Sequence, residues 1–365
     1  MRSSACNQGL VIHENEVRDL ISQSLAFREA VSSDSSTCCA ARFRGLHHIG
    51  LDGRKKVPGQ ASPTYPKCPA QQFCESGRIA IPAGLLEGPF RKPRLPSFPV
   101  PRLIPLVNPC DRRTFAHEYL EDRFPVVAVQ LWKLMRSGPA YRLAVSKGLN
   151  RMLKFDGKIL ISSVMPDAYI VHRGVGWFIN AIKELEPDVV TTWDVPTYSD
   201  HPKKASLNWL LASLEASRRM SLELETPLIG LVAGADLPQV QLSSACLAAM
   251  GFQHQALACH ELLVGRQQAY LKSCASVVAR NCSELTMLSC SHPNMIEKFR
   301  MADHFVGMSW FNQAVRGRRM RNGSKEFPGH GRDMTAQLIR ENLTEAIDAV
   351  RESFPSNDLG GNRPG

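Results

Sequence analysis

The chain has 365 residues, of which 44% are hydrophobic and 21% charged, so it is long enough for one large domain or two average ones. Its formal net charge of +10 is compatible with a polyanionic partner, because clustered Lys and Arg side chains release counterions from phosphates. Eleven cysteines without a C-x-x-C pair exclude a zinc ribbon and argue against a disulfide framework. No signal peptide and no window near the roughly 20 apolar residues of a membrane span can be read from the sequence. We therefore expect a cytoplasmic protein that makes no membrane contact.

The two ends of the chain are predicted to be less regular than its middle. Residues 1–100 are rich in Pro, Ser and basic residues, as in "SSDSSTCCAARFRG", and predict an irregular segment with one short helix at Glu16 to Val31. Residues 323–365 predict a C-terminal helix followed by a frayed tail, "FPSNDLGGNRPG". The domain that carries the function is expected between them, over residues 101–322.

The middle of the chain alternates short aliphatic runs with longer stretches whose apolar residues recur every three or four positions. Eight runs can be counted, at residues 102–107, 125–131, 158–162, 188–193, 227–233, 255–259, 286–290 and 303–308. Strands separated by amphipathic helices imply a parallel sheet with right-handed crossovers. Eight such units favour a closed (β/α)8 TIM barrel over an open doubly wound sheet, and no G-x-G-x-x-G follows the first strand.

The carboxyl ends of barrel strands are where reactive residues are expected. Asp194 is the one carboxylate that sits directly at a predicted strand end, in "VTTWDVPTY". An ionised carboxylate beside an apolar strand is costly unless something pairs with it. Two interpretations are open: Asp194 faces a ligand, or it caps the following turn by accepting backbone N–H bonds.

Three segments together resemble the tRNA-guanine transglycosylase superfamily, including its branch that acts on DNA. They are "PDVVTTWDVPTY" with the helix "ASLNWLLASLEASRRM", "PLIGLVAGADLPQVQLSSACLAAMGFQHQALACHEL", and "LSCSHPNMIEKFRMADHFVGMSWFNQAVRGR". Their order and spacing match the family over roughly residues 100–320.

The resemblance implies exchange of a guanine in tRNA or DNA for a 7-deazaguanine, with one Asp as nucleophile and another as acid or base. Asp194 falls where the family's base-recognition acid lies, so the resemblance implies that it accepts hydrogen bonds from a flipped-out purine or 7-deazapurine base. Ser163, Gly234 and His260, at neighbouring strand ends, are the other expected substrate-binding residues.

The sequence departs from the family at its catalytic positions. Ser162 stands where the family has an Asp, and Val306 stands where the nucleophilic Asp would fall. The remaining catalytic candidates are therefore Ser162, Asp167 and Asp303, although Asp303 lies an odd number of residues before Val306 and would face the other way on a strand. The family's zinc motif is also missing, and we expect no metal and no cofactor.

Three explanations of these departures are open. The acids have moved, with Asp167 on a loop as the freer substitute. Alternatively, the protein is a non-catalytic relative that binds nucleic acid or a partner, for example as a subunit beside an active transglycosylase paralogue. In the third explanation the similarity is that of a barrel alone, with unrelated chemistry built from Asp194, His260, Glu261 and His292.

A basic run, "RGRRMRNGSK", follows the last predicted strand. We expect it to contact a nucleic-acid backbone, together with two lysines after the fourth strand; the expected residues are Arg316, Arg318, Arg319, Arg321, Lys203 and Lys204. The alternative is an ordinary solvated charge run.

Overall fold

The computed structural model describes residues 91–109, 120, 123–195, 197, 203–259, 263, 267–320 and 332–355. Within these ranges only the backbone is described at residues 167–169, 171–172, 203–205, 208 and 332–334. The predicted helix at Glu16 to Val31 lies outside the described residues.

Eight parallel strands close into a barrel in sequence order, which confirms the predicted (β/α)8 fold. Each strand overlaps one of the runs counted in the sequence. The strands are β1 (Leu103–Val107), β2 (Val126–Gln130), β3 (Lys158–Ser162), β4 (Val189–Thr191), β5 (Leu228–Val232), β6 (His254–Ala258), β7 (Glu284–Leu288) and β8 (His304–Gly307). β1 pairs with β8 through Ile104 and Val306, and this pairing closes the barrel.

Ten helices lie in the described part of the chain. They are α1 (Leu131–Arg136), α2 (Gly138–Lys147), α3 (Leu149–Leu153), α4 (Asp167–Leu185), α5 (Lys203–Glu223), α6 (Leu237–Ala249), α7 (Gln267–Asn281), α8 (Pro293–Lys298), α9 (Ser309–Val315) and α10 (Arg332–Ser353). Phe178, Ile182 and Leu185 show why α4 forms, since their spacing of three and four residues buries one face of the helix. The three short helices after β2 were not anticipated.

The barrel strands bury side chains on both faces, which explains why their sequences are continuous apolar runs. Ile104, Leu160, Ile229 and Val306 belong to a cluster that fills the barrel interior. Their chain neighbours face outward into a larger cluster shared with the helices; Ile161 and Phe305 are examples. The position of each residue in a strand therefore decides whether it faces the interior or the helices.

The segment before β1 covers the amino-terminal end of the barrel. Residues 91–100 contain no helix or strand, and within them Phe98 and Val100 pack against the interior cluster. Arg91 is joined to Glu225 by two hydrogen bonds of 2.6 Å. Because these charges are exposed, the apolar contacts of Phe98 and Val100 are the stronger attachment.

No helix in the described ranges is both long and apolar enough to cross a bilayer. The cysteines in those ranges are Cys246, Cys259, Cys274, Cys282 and Cys290, and all five are free thiols.

Candidate functional site

At the end of β4, two threonine hydroxyls add to the main-chain pairing. β4 is three residues long, and Thr192 just beyond it still donates its N–H to the Ile229 carbonyl oxygen at 2.8 Å. Thr191 Oγ1 accepts from the Ser163 N–H at 2.8 Å, and Thr192 Oγ1 accepts from the Leu231 N–H at 2.8 Å. The hydroxyls therefore satisfy one buried N–H of β5 and one of the chain just beyond β3.

Asp194 lies just beyond these threonines, at the carboxyl-terminal end of the barrel. Trp193 before it is buried, with 7% of its surface exposed, whereas Asp194 itself is half-buried. Asp194 Oδ1 accepts from the N–H of Val195 at 2.9 Å. This bond is the one that the turn-cap interpretation predicts, and half-burial is what the ligand-facing interpretation requires.

Gly234 brings the loop after β5 against the loop after β4. Its N–H donates to Thr197 Oγ1 at 3.1 Å. A Cβ at Gly234 would lie 2.6 Å from the Val240 backbone nitrogen, so the first turn of α6 leaves no room for a side chain. Gly234 thus has a structural reason to be glycine, and it lies in the same pair of loops as Asp194.

Ser162, the last residue of β3, and Ser163, the residue after it, are buried and already hydrogen-bonded. Ser163 Oγ lies 2.8 Å from Thr191 Oγ1 and donates to the Thr192 carbonyl oxygen at 2.5 Å. Ser162 Oγ accepts from the Val164 N–H at 3.3 Å. Ser163 belongs to the network of threonines that precedes Asp194, and its burial keeps its hydroxyl away from an incoming ligand.

The position expected for the nucleophile is apolar. Val306 is 1% exposed, and it packs in the interior cluster with Ile104 and Leu288. Gly307 follows, and a Cβ there would come within 2.5 Å of Ser291 Oγ, so this part of the rim is tightly closed. An acid at residue 306 would be buried among aliphatic side chains.

The other catalytic candidates lie at opposite ends of the barrel. Asp303 immediately precedes β8, at the amino-terminal end, where its Oδ2 accepts from the Leu285 N–H at 3.0 Å. Asp167 is the first residue of α4, which follows β3 at the carboxyl-terminal end, and its side chain is outside the description.

His260 and Glu261 also fall outside the described residues. The structure therefore brings Asp194, Ser162, Ser163 and Gly234 together at one end and leaves Asp303 at the other.

The rim after β6 and β7 carries neutral groups. Burial, followed by the neighbouring thiol of Cys290, holds the pKa of Cys259 well above its usual range, so Cys259 is a protonated thiol. His292 precedes α8, and burial lowers its pKa below 6.5. Neither side chain provides a charged nucleophile or a strong base at neutral pH.

The predicted basic strip is divided in the structure. Arg316 is exposed just after α9, whereas Arg319 forms a 3.0 Å ion pair with Glu341 of α10. Asn342 holds the strip's main chain by donating to the Arg318 carbonyl oxygen at 3.0 Å. Arg321 lies outside the description, and the side chains of Lys203 and Lys204, which open α5, are likewise not covered by it. Among the members of the strip whose side chains are described, Arg316 is thus best placed to meet a phosphate.

Four polar residues on the strands were missed by the sequence analysis. Gln130 ends β2 in register with Ser162, at the same end of the barrel as Asp194. His254, Glu284 and His304 open β6, β7 and β8 at the other end. Burial and the nearby His304 lower the pKa of His254 to about 3, so this imidazole is neutral at pH 7. A polar residue at the first position of three consecutive apolar strands was the available signal.

Comparisons with protein-family models and with curated proteins gave no match to this chain. The resemblance to tRNA-guanine transglycosylases therefore rests on the three sequence segments, to which the barrel adds a compatible fold.

Proposed function

We propose that this barrel binds a purine or 7-deazapurine base, presented by tRNA or DNA, at its carboxyl-terminal end without performing ordinary guanine exchange by itself. The observation that carries the proposal is Asp194, a half-buried carboxylate just beyond β4 at the end of the barrel where substrates bind in this fold. A guanine-type edge carries ring and amino N–H donors, which a carboxylate accepts in charge-assisted hydrogen bonds.

The setting of Asp194 is suited to holding a base. The threonine hydroxyls next to it fix the main chain, and Trp193 anchors the turn because its side chain is buried in the outer hydrophobic cluster. A fixed turn reduces the ordering cost of binding. The bond from Val195 N–H to Oδ1 also orients the carboxylate, so a base would add to that bond and need not break it.

Val306 is the residue that makes us expect altered chemistry. A transglycosylase of the family type needs a carboxylate that takes over the anomeric carbon as the base leaves. Val306 offers no such group, and its apolar surroundings would raise the pKa of an acid placed there. Asp167 remains the candidate for a relocated acid, and Ser162 is buried with its oxygen engaged by Val164.

A second function is favoured by the same valine. A barrel that keeps a base site but lacks a nucleophile is suited to act as a non-catalytic subunit, which positions nucleic acid for an active transglycosylase paralogue. Arg316 would then supply a phosphate contact in either function.

A base-exchange assay distinguishes these possibilities. Labelled guanine is offered to tRNA and to duplex DNA with the full-length wild-type protein, alone and mixed with a candidate active paralogue. We expect no incorporation by the protein alone, and incorporation in the mixture above that of the paralogue alone indicates the subunit function. Robust exchange by the isolated protein would show that its nucleophile lies elsewhere, with Asp167→Asn as the first variant to test.

A further inference from the structure

His254, Glu284 and His304 converge inside the amino-terminal mouth of the barrel, away from Asp194. His254 and Glu284 are paired in the register of β6 and β7. All three face inward, because they lie an even number of residues before Ala256, Leu288 and Val306, which belong to the interior cluster. Three neighbouring strands thus present two imidazoles and a carboxylate to one point.

The distances within this cluster are those of a ligand set. Glu284 Oε2 lies 3.2 Å from His254 Nδ1 and 3.4 Å from His304 Nε2. One ligand atom from each residue lies within 4.8 Å of the other two. The imidazole ring centroids are 5.1 Å apart and the rings are tilted by 40°, so the rings do not stack face to face.

On each imidazole, the ring nitrogen that faces away from Glu284 has its own partner. His304 Nδ1 lies 3.1 Å from the carbonyl oxygen of Pro101. A carbonyl oxygen only accepts, so Nδ1 carries the proton and Nε2 directs a lone pair toward Glu284. His254 Nε2 lies 2.7 Å from Thr286 Oγ1. Partners of this kind fix the ring orientation of metal-ligating histidines in proteins.

His254 Nδ1, the ring nitrogen on the side of Glu284, is the unsatisfied atom of the cluster. His254 is 1% exposed, and its Nδ1 has no hydrogen-bond partner, because Glu284 Oε2 approaches it without the geometry of a hydrogen bond. A proton on His304 Nε2 would pair that ring with Glu284, but His254 Nδ1 would stay buried and unpartnered. A cation among the three atoms satisfies all of them at once.

We propose that His254, Glu284 and His304 bind a divalent transition-metal ion, with Zn²⁺ as the best fit. Two imidazole nitrogens and one carboxylate oxygen are donors that Zn²⁺ accepts, whereas Mg²⁺ and Ca²⁺ prefer oxygen alone. The Glu284 side chain is 48% exposed, so water can reach the fourth position. The ion would link β6, β7 and β8 and, through His304, the segment at Pro101.

The test compares two glutamines in the full-length protein. Glu284→Gln removes the charged ligand at a half-exposed position, and Glu297→Gln removes an exposed glutamate of α8 as the matched control. Each protein is stripped with a chelator, freed of it and titrated with Zn²⁺ by calorimetry. Co²⁺ replaces Zn²⁺ in a parallel absorption titration, because thiolate charge-transfer bands reveal any binding by cysteines elsewhere in the chain.

We expect one ion per wild-type chain, Co²⁺ bands without thiolate charge transfer, and a higher thermal unfolding midpoint with Zn²⁺. Glu284→Gln should weaken binding at least about tenfold and lose the shift of the midpoint, while Glu297→Gln behaves like the wild type. If Glu284→Gln is unfolded, Thr286→Ala, which removes the hydroxyl, should bind Zn²⁺ about tenfold more weakly than Thr286→Ser, which keeps it. The proposal would be overturned by absence of Zn²⁺ binding or by binding through thiolates alone. Equal Zn²⁺ affinities of Glu284→Gln and Glu297→Gln, or of Thr286→Ala and Thr286→Ser where Glu284→Gln does not fold, would also overturn it.

Discussion

The two ends of the barrel treat their polar groups in opposite ways. At the carboxyl-terminal end, Thr191, Thr192 and Ser163 use their hydroxyls to satisfy main-chain atoms. At the amino-terminal end, His254 Nδ1 is buried without a hydrogen-bond partner beside Glu284. The first arrangement stabilises a fixed loop that holds one half-buried acid, and the second leaves a buried nitrogen that a bound cation would satisfy. A fully hydrogen-bonded network therefore fixes the position of a functional residue, whereas an unsatisfied buried atom indicates a place for a ligand.

The greatest loss of folding free energy should follow from breaking the carboxyl-terminal hydrogen-bond network. Thr192→Val keeps the shape of the side chain but leaves the buried Leu231 N–H without its acceptor. An unsatisfied buried donor costs about 1–3 kcal/mol, and Thr191→Val should add a comparable loss through Ser163. Urea unfolding monitored by circular dichroism measures both variants. Thr344→Val is the control, because Thr344 is exposed on α10 and its hydroxyl donates to the Arg340 carbonyl oxygen of the same helix; an equal loss there would contradict the special role of the pair.

A smaller effect is expected at the basic strip. If Arg316 contacts a phosphate, Arg316→Ala should reduce the slope of log affinity against log salt by about 0.9 for duplex DNA and by about 0.7 for single strands. The measurement is a fluorescence-anisotropy titration with tRNA and with DNA at several salt concentrations. Arg280→Ala, at the end of α7 that leads into β7, is the control from the other end of the barrel. An identical loss in the control would mean that binding is non-specific attraction to a basic protein.

The smallest effect concerns acid sensitivity at the carboxyl-terminal rim. Burial lowers the pKa of His292 in the folded protein, so this imidazole stays neutral while the unfolded chain gains a proton below pH 6.5. Stability from this group is therefore complete above pH 6.5 and is lost as pH falls through the folded pKa. His292→Gln should make the free energy of unfolding less dependent on pH between 7 and 5. Parallel pH profiles of the wild type and the variant would show that His292 is not shielded.

Most of the fold could be predicted from the sequence because both faces of each strand are apolar. That pattern identified all eight strands to within two residues at each end. It also put Asp194 at the correct end, since a parallel barrel gathers all carboxyl ends together. Asp303 was a weak candidate on its odd spacing, and the structure adds that it precedes β8 and accepts from Leu285 N–H.

The details of the site could not be predicted, because they depend on pairing between strands distant in sequence. The use of Thr192 by Leu231 joins residues 39 positions apart, and no local pattern indicates it. The cluster of His254, Glu284 and His304 required the register of three strands to be known. The kink of α4 at Gly174 was likewise hidden, since its positive φ of 68° was one of many conformations open to a glycine.

Recognition of a base by Asp194 is tested directly by equilibrium binding of guanine and of a 7-deazaguanine to the wild type, Asp194→Asn and Asp303→Asn. Titration calorimetry on the full-length proteins measures the three affinities. Asp194→Asn should bind at least about tenfold more weakly, a loss of about 1.4 kcal/mol, because a charged acceptor becomes a neutral amide. Asp303→Asn, at the opposite end, should bind like the wild type. Equal affinities of the wild type and Asp194→Asn would show that Asp194 only caps its turn and does not recognise a base.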